Sequence, residues 1–152
     1  MFLLALLIGI VAGLRTFTAP AAVSWAAYLG WLNVADSTLA FLGYRWTPWI
    51  LTGLAVVEFV TDQLPSTPSR TVPMQFGARI VTGAVSGAAL GVAFAQPLVG
   101  GVAGMVGAVI GTFGGRAVRA KLADIFRKDM PAALIEDAVA ILLALLVILA
   151  AR

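Results

Sequence analysis

Residues 13–20 read Gly13-Leu14-Arg15-Thr16-Phe17-Thr18-Ala19-Pro20, set between the apolar stretches MFLLALLIGIVA and AAVSWAAYLGWL. An arginine sits where an uninterrupted apolar helix would otherwise run. A guanidinium does not deprotonate at neutral pH, so it must be paired or bind an anion. Proline lacks the N–H that a continuous helix uses, and the flanking threonines can return hydrogen bonds to a local break. In hydrocarbon, such a break is tolerated only when it is buried in protein or lines a cavity. The stretch is therefore read as a helix break facing the interior of a helical bundle, with Arg15 directed toward Glu58 or Glu136.

The remainder of the chain fits that setting. Of 152 residues, 61% are hydrophobic and 11% charged, with a mean hydropathy of +1.02. Soluble domains average about 25% charged residues, so this chain has too few charges to solvate a globule. It reads as an integral membrane protein forming one transmembrane domain over residues 1–152, with room for four or five spans of about 20 residues. Cysteine and histidine are both absent. No thiolate or imidazole metal site is expected, and no cofactor. The N-terminus has no positively charged n-region and no evident cleavage site before Arg15, so Met1 is expected to remain in the first span.

Hydrophobic runs predict an all-α, polytopic protein of five helical segments. The first, residues 2–32, is broken at Gly13-Leu14-Arg15 and again near Pro20. The others are 47–63, 76–95, 98–115 with a polar continuation to about 126, and 131–150, where Pro131 suits a first helical turn. The stretch 64–73, with three prolines, cannot be a regular helix. Thirty-one residues fit one long broken span or a re-entrant hairpin of two half-helices, but not two full crossings. The hairpin alternative leaves four true spans.

Charge bias sets the orientation. Arg70 and Arg79 lie at one connection, and Arg116, Arg119, Lys121, Arg127 and Lys128 at another; these basic loops are expected to be cytoplasmic. Five crossings place the N-terminus inside and the C-terminus outside, whereas the hairpin places the N-terminus outside. Trp31, Tyr44, Trp46 and Trp49 read as interfacial anchors on the far side; Trp25 has no evident place there. The basic residues are read as an anchor against anionic membrane lipid rather than as a nucleic-acid surface, despite the net charge of +3.

Ionisable groups at membrane depth are costly, about 2.5–3.5 kcal/mol on insertion scales, and usually converge on an interior site. Arg15, Thr18, Glu58, Asp62, Arg79, Glu136 and Asp137 form the candidate ion- or substrate-binding set. Glu58 and Asp62, spaced i, i+4, share one helix face, while Glu136 and Asp137 diverge by about 100°. Two readings stand: internal ties between helices, or a polar pocket for an ion or small charged solute. Gly13-x-Arg15-x-x-Thr18 recurs as Gly77-x-Arg79-x-x-Thr82, a weak echo of the repeats seen in transporters. Gly83, Gly87, Gly100, Gly104, Gly107 and Gly111 form small-xxx-small ridges, suited to packing the third segment on the fourth, to a homodimer seam, or to both. No phosphate-binding loop or catalytic triad is evident, so no enzymatic activity is expected.

At GLRTFTAPAAVSWAAYLGWL, VVEFVTDQLPSTPSRTVPMQFGARIVTGAVSGAALG and DMPAALIEDAVAILLA, the chain resembles the bacterial membrane proteins of domain-of-unknown-function family 4126. The resemblance covers almost the whole length. It implies a short all-helical protein of the inner membrane and names no activity. Two functional expectations follow from the residues: a small transporter or channel-like protein with a buried Arg/Glu/Asp site, or a non-transporting accessory protein. The latter would bind lipid or a larger membrane complex through its glycine ridges.

Overall fold

The break falls at Arg15. In the computed structural model, which describes residues 1–62 and 71–152, helix α1 spans Phe2–Leu14 and α2 spans Thr18–Tyr28. Arg15 between them is extended, with φ −139° and ψ 118°. Pro20 makes no second break. It lies in the first turn of α2, where its missing N–H has no helical partner to lose. Among the described residues the five expected segments become six α-helices, because the first is two separate helices. After a 3-10 turn at Ala40–Gly43 come α3 (Thr47–Thr61), α4 (Pro73–Val92), α5 (Pro97–Phe126) and α6 (Asp129–Ala151). No strand occurs among the described residues. Residues 64–70 of the expected proline-rich connection, including Arg70, lie outside the described residues. Pro73, placed in that connection by the sequence reading, instead opens α4.

Contacts along the helices fix their directions. Gly9 meets Gly104 and Gly13 meets Ala108 and Thr112, so α1 and α5 run parallel. Gly83 meets Gly104 and Ala108, while Gly87 meets Gly100, so α4 runs against α5. Arg15, just ahead of α2, pairs with Asp137. Beyond the other end of α2, Trp31 lies under the guanidinium of Arg152, 4.8 Å away; α2 and α6 are therefore parallel. Because α6 returns along α5 after the Arg127-Lys128 turn, α1 rises toward Arg15 and α2 descends from it. The first segment is a helical hairpin with its tip at residues 15–17, not one long broken rod. Both chain ends lie at the open end of this hairpin, so the expectation of termini on opposite sides is corrected.

The chain is apolar outside and charged within. Arg15, Glu58, Arg79, Glu136 and Asp137 are buried, whereas Ile50, Val57, Ile110, Leu142 and Leu146 are exposed. Helices α5 and α6 are long and apolar enough to cross a membrane, while α1 and α3 are apolar but have 13 and 15 residues. At 1.5 Å per residue α1 is ~20 Å long, short of the ~30 Å hydrocarbon core.

Close backbone approach holds α1, α4 and α5 together. A Cβ on Gly87 would lie 2.9 Å from the Cα of Gly104, and one on Gly107 would lie 2.9 Å from the amide nitrogen of Ile10. Small residues permit this spacing between helices. The ridge thus serves two neighbours at once, α4 on one face of α5 and α1 on the other. Gly83, Gly87, Gly100, Gly104, Gly107 and Gly111 all pack against this chain's own helices. The Gly-x-Arg-x-x-Thr echo has no structural counterpart, since the first copy straddles the hairpin tip and the second lies within α4.

Substitution at Gly104 by alanine is expected to cost about 2–3 kcal/mol through overpacking against rigid backbone. Gly114→Ala meets nothing within 4 Å and should gain up to about 1 kcal/mol from helix propensity. Unfolding of both variants in detergent micelles measures the contrast.

Candidate functional site

Breaking a helix leaves backbone groups without partners at both new ends. At the end of α1 the carbonyls of Gly13 and Leu14 each accept a hydrogen bond of 2.8 Å from Nη1 of Arg79 on α4. Thr112 on α5 bonds the Ala108 carbonyl at 2.8 Å and also reaches the Gly13 carbonyl at 3.4 Å. At the start of α2 the N–H groups of Thr16 and Phe17 donate to Glu58 on α3, one to each carboxylate oxygen, at 2.7 and 2.9 Å. The two side chains also attract each other, with Arg79 Nη2 3.6 Å from Glu58 Oε1.

The charges match the helix ends. Partial negative charge gathers at a helix C-terminus and partial positive charge at an N-terminus. Arg79 meets the first and Glu58 the second, so one ion pair satisfies both halves of the break. The flanking threonine hydroxyls do not take this part. Thr16 contributes its backbone N–H, and the buried Thr18 hydroxyl has no hydrogen-bond partner among the described residues.

Arg15 points away from this clamp. Its side chain is fully buried and forms ion pairs with Asp62 on α3 and Asp137 on α6, with the ring of Phe59 5.6 Å from its guanidinium carbon. The expected partners, Glu58 and Glu136, are engaged elsewhere. Glu58 and Asp62 do share a face, but one helical turn separates them. The turn nearer the hairpin tip meets the free N–H groups, and the next meets the arginine.

Glu136 pairs with Arg119 of α5 at 3.4 Å. Arg119 also holds Asp129 at 2.5 Å and donates to the Asp62 carbonyl at 3.3 Å. Read from sequence as a lipid-facing anchor, Arg119 is instead part of the cluster. A signal was present: Arg119 and Glu136 are equally far from the Arg127-Lys128 turn, and such positions on an antiparallel helix pair lie at one height. Thr112 was missed as well, and nothing in its sequence surroundings marks it. All seven predicted site residues lie at the tip level, with Thr18 beside the charges rather than bonded to them.

Glu58 and Asp62 line a cleft of about 300 Å³ between α3 and α4, walled also by Thr16, Met74 and Gln75. Among the described residues they are the ionisable groups of its lining; Arg15 and Arg79 pair with them. Among the described residues, no group of three His, Cys, Asp or Glu is placed to hold a metal ion.

An all-helical bundle closed around a buried ionic cluster at a helix break, and apolar on its outer faces, defines the class of this protein. The family model described as domain of unknown function (DUF4126) matches residues 2–151, and the chain belongs to that family. No curated protein and no solved structure matches it.

Glu58→Gln should destabilise the protein by about 3–5 kcal/mol, because it removes the buried negative charge that faces Arg79 and the two N–H groups of the hairpin tip. Asp129→Asn, at a carboxylate more than half exposed, should cost less than about 1 kcal/mol. Denaturant titration in micelles separates the two.

Proposed function

We propose that this chain is a polytopic protein of the inner membrane that moves an ion or small charged solute, a cation in preference to an anion. The observation that carries this reading is the cleft: among the described residues, the ionisable groups of its wall are the carboxylates of Glu58 and Asp62. A negatively lined space attracts cations and repels anions. The exposed apolar side chains of α3, α5 and α6 support the membrane setting, since soluble monomers rarely expose contiguous apolar patches above a few hundred Å². Broken helices ending at mid-membrane are a recurrent way of building ion sites in transporters.

In this reading α1 and α2 form a re-entrant hairpin and α3–α6 supply four spans, of which α5 and α6 are long enough to cross unaided while α3, with 15 residues, requires a locally thinned bilayer. Exposed Lys121, Arg127 and Lys128 mark the cytoplasmic side, where they meet anionic headgroups. Exposed Tyr44, Trp46 and Trp49 anchor the opposite interface. A second reading, as an accessory protein of a larger membrane complex, is favoured by one specific feature. Glu58 and Arg79 are committed to the hairpin tip, which makes them structural ties rather than exchangeable ligands.

Two measurements test the proposal. Membrane-impermeant maleimide should label Phe2→Cys and Arg152→Cys from outside intact cells, and Lys121→Cys only after permeabilisation; labelling of the termini on opposite sides contradicts the hairpin topology. Proteoliposomes under an imposed potential should show proton, sodium or potassium flux that Asp62→Asn abolishes. Absence of all three fluxes in the folded wild type would favour the accessory reading.

A further inference from the structure

Helix α3 is attached to the bundle differently from its neighbours. Of its 15 residues only Pro48, Ala55 and Glu58 are buried, whereas α1 buries seven of 13. It packs against α2 and the 3-10 turn, and Leu54, Val56, Val57 and Val60 are exposed. Among its described contacts are polar groups at the tip end, Glu58 and Asp62, and Trp49 and Thr52 against Trp25 at the other end.

Open space flanks α3 on both sides. On one flank lies the cleft that reaches Asp62. On the other, a crevice of about 250 Å³ runs between α3, α2 and α6, lined by Ala55 and Phe59 of α3 with Thr18, Trp25 and Ile141. The unpartnered hydroxyl of Thr18 is part of this lining. The two spaces lie on opposite faces of one helix, and the Arg15–Asp62 pair with the Phe59 ring stands between them.

We infer that α3 is the moving element of the transport pathway and that the Arg15–Asp62 ion pair is its latch, an inference that rests on the transport reading above. A proton or monovalent cation entering the cleft neutralises Asp62. Arg15 keeps Asp137 as its counter-ion, so releasing Asp62 does not strand a buried guanidinium. Glu58 still ties α3 to the hairpin tip, so the motion is a swing of the helix about Glu58, opposed by little apolar burial. As the helix moves, the carried species reaches the Thr18 hydroxyl at the edge of this otherwise largely apolar crevice. Among the described residues, the charged groups around Asp62 are Arg15 from the hairpin tip, Glu58 from α3 itself, Arg79 from α4, Arg119 from α5, and Glu136 and Asp137 from α6. Of the carboxylates, Glu58 is held by two N–H donors and Arg79, and Glu136 by Arg119. Asp62 and Asp137 share Arg15, and Asp62 is the one of those two that lines the cleft.

The absence of cysteine allows nitroxide labels at Val60→Cys and Met74→Cys, exposed positions on α3 and α4, in vesicles of phosphatidylethanolamine and phosphatidylglycerol. Pulsed dipolar spectroscopy should show a second, longer distance in the Asp62→Asn variant, its population raised on the order of a hundredfold. The labelled wild type moved from choline chloride into sodium or potassium chloride should develop the same component without any substitution at the latch. A distance distribution unchanged by both treatments overturns the latch. Ion flux with a static α3 refutes the gate alone, while a mobile α3 without flux refutes transport and leaves the latch standing.

Discussion

The hairpin tip at residues 15–17 depends on one ion pair that closes two helix ends. Two N–H groups and two carbonyls are left open there, within a bundle whose outer faces are apolar. Glu58 accepts from the N–H groups and Arg79 donates to the carbonyls. A neutral donor or acceptor could satisfy some of these bonds, but only opposite charges also match the polarity of both ends. The two side chains come from α3 and α4, so the clamp also ties those helices to the tip. Without it, the chain would have to continue as one helix or expose unsatisfied backbone, which costs several kcal/mol per group in an apolar medium.

Around this tip the bundle divides into a tight part and a loose part. Helices α1, α4 and α5 approach at glycine contacts where even a methyl group meets backbone, and such packing admits little displacement. Helix α3 has no comparable surface. Its hold on the bundle is concentrated in carboxylates, whose strength depends on their charge. The division makes chemical sense of the cluster: Glu58 and Arg79 are bound to immovable backbone, while Arg15 is shared between two aspartates on different helices and can change partners at little cost.

The break at Arg15 was legible because an arginine in an apolar run must be interior or paired. The burial cost of ionic groups likewise picked out Glu58, Asp62, Arg79, Glu136 and Asp137. Pairing was not legible. The i, i+4 spacing of Glu58 and Asp62 tells which face they share, but not which turn of that face meets the hairpin, so Arg15 was directed to the wrong carboxylates. Span length alone could not choose between a rod and a hairpin for residues 2–32, because 31 residues accommodate either. The glycine spacing announced close approach on α4 and α5 without revealing α1 as a third partner, since α1 contributes only Gly9 and Gly13 to the contact. Arg119 was masked by its basic neighbours, which look alike until the turn at Arg127 sets their heights.

A double-mutant cycle between Glu58→Gln and Arg79→Met, followed by unfolding in lipid nanodiscs, addresses the clamp most directly. If one ion pair closes both helix ends, the two losses are strongly coupled, with an interaction energy of about 2–3 kcal/mol. Losses that simply add would show that the carboxylate and the guanidinium act independently, and would contradict the account.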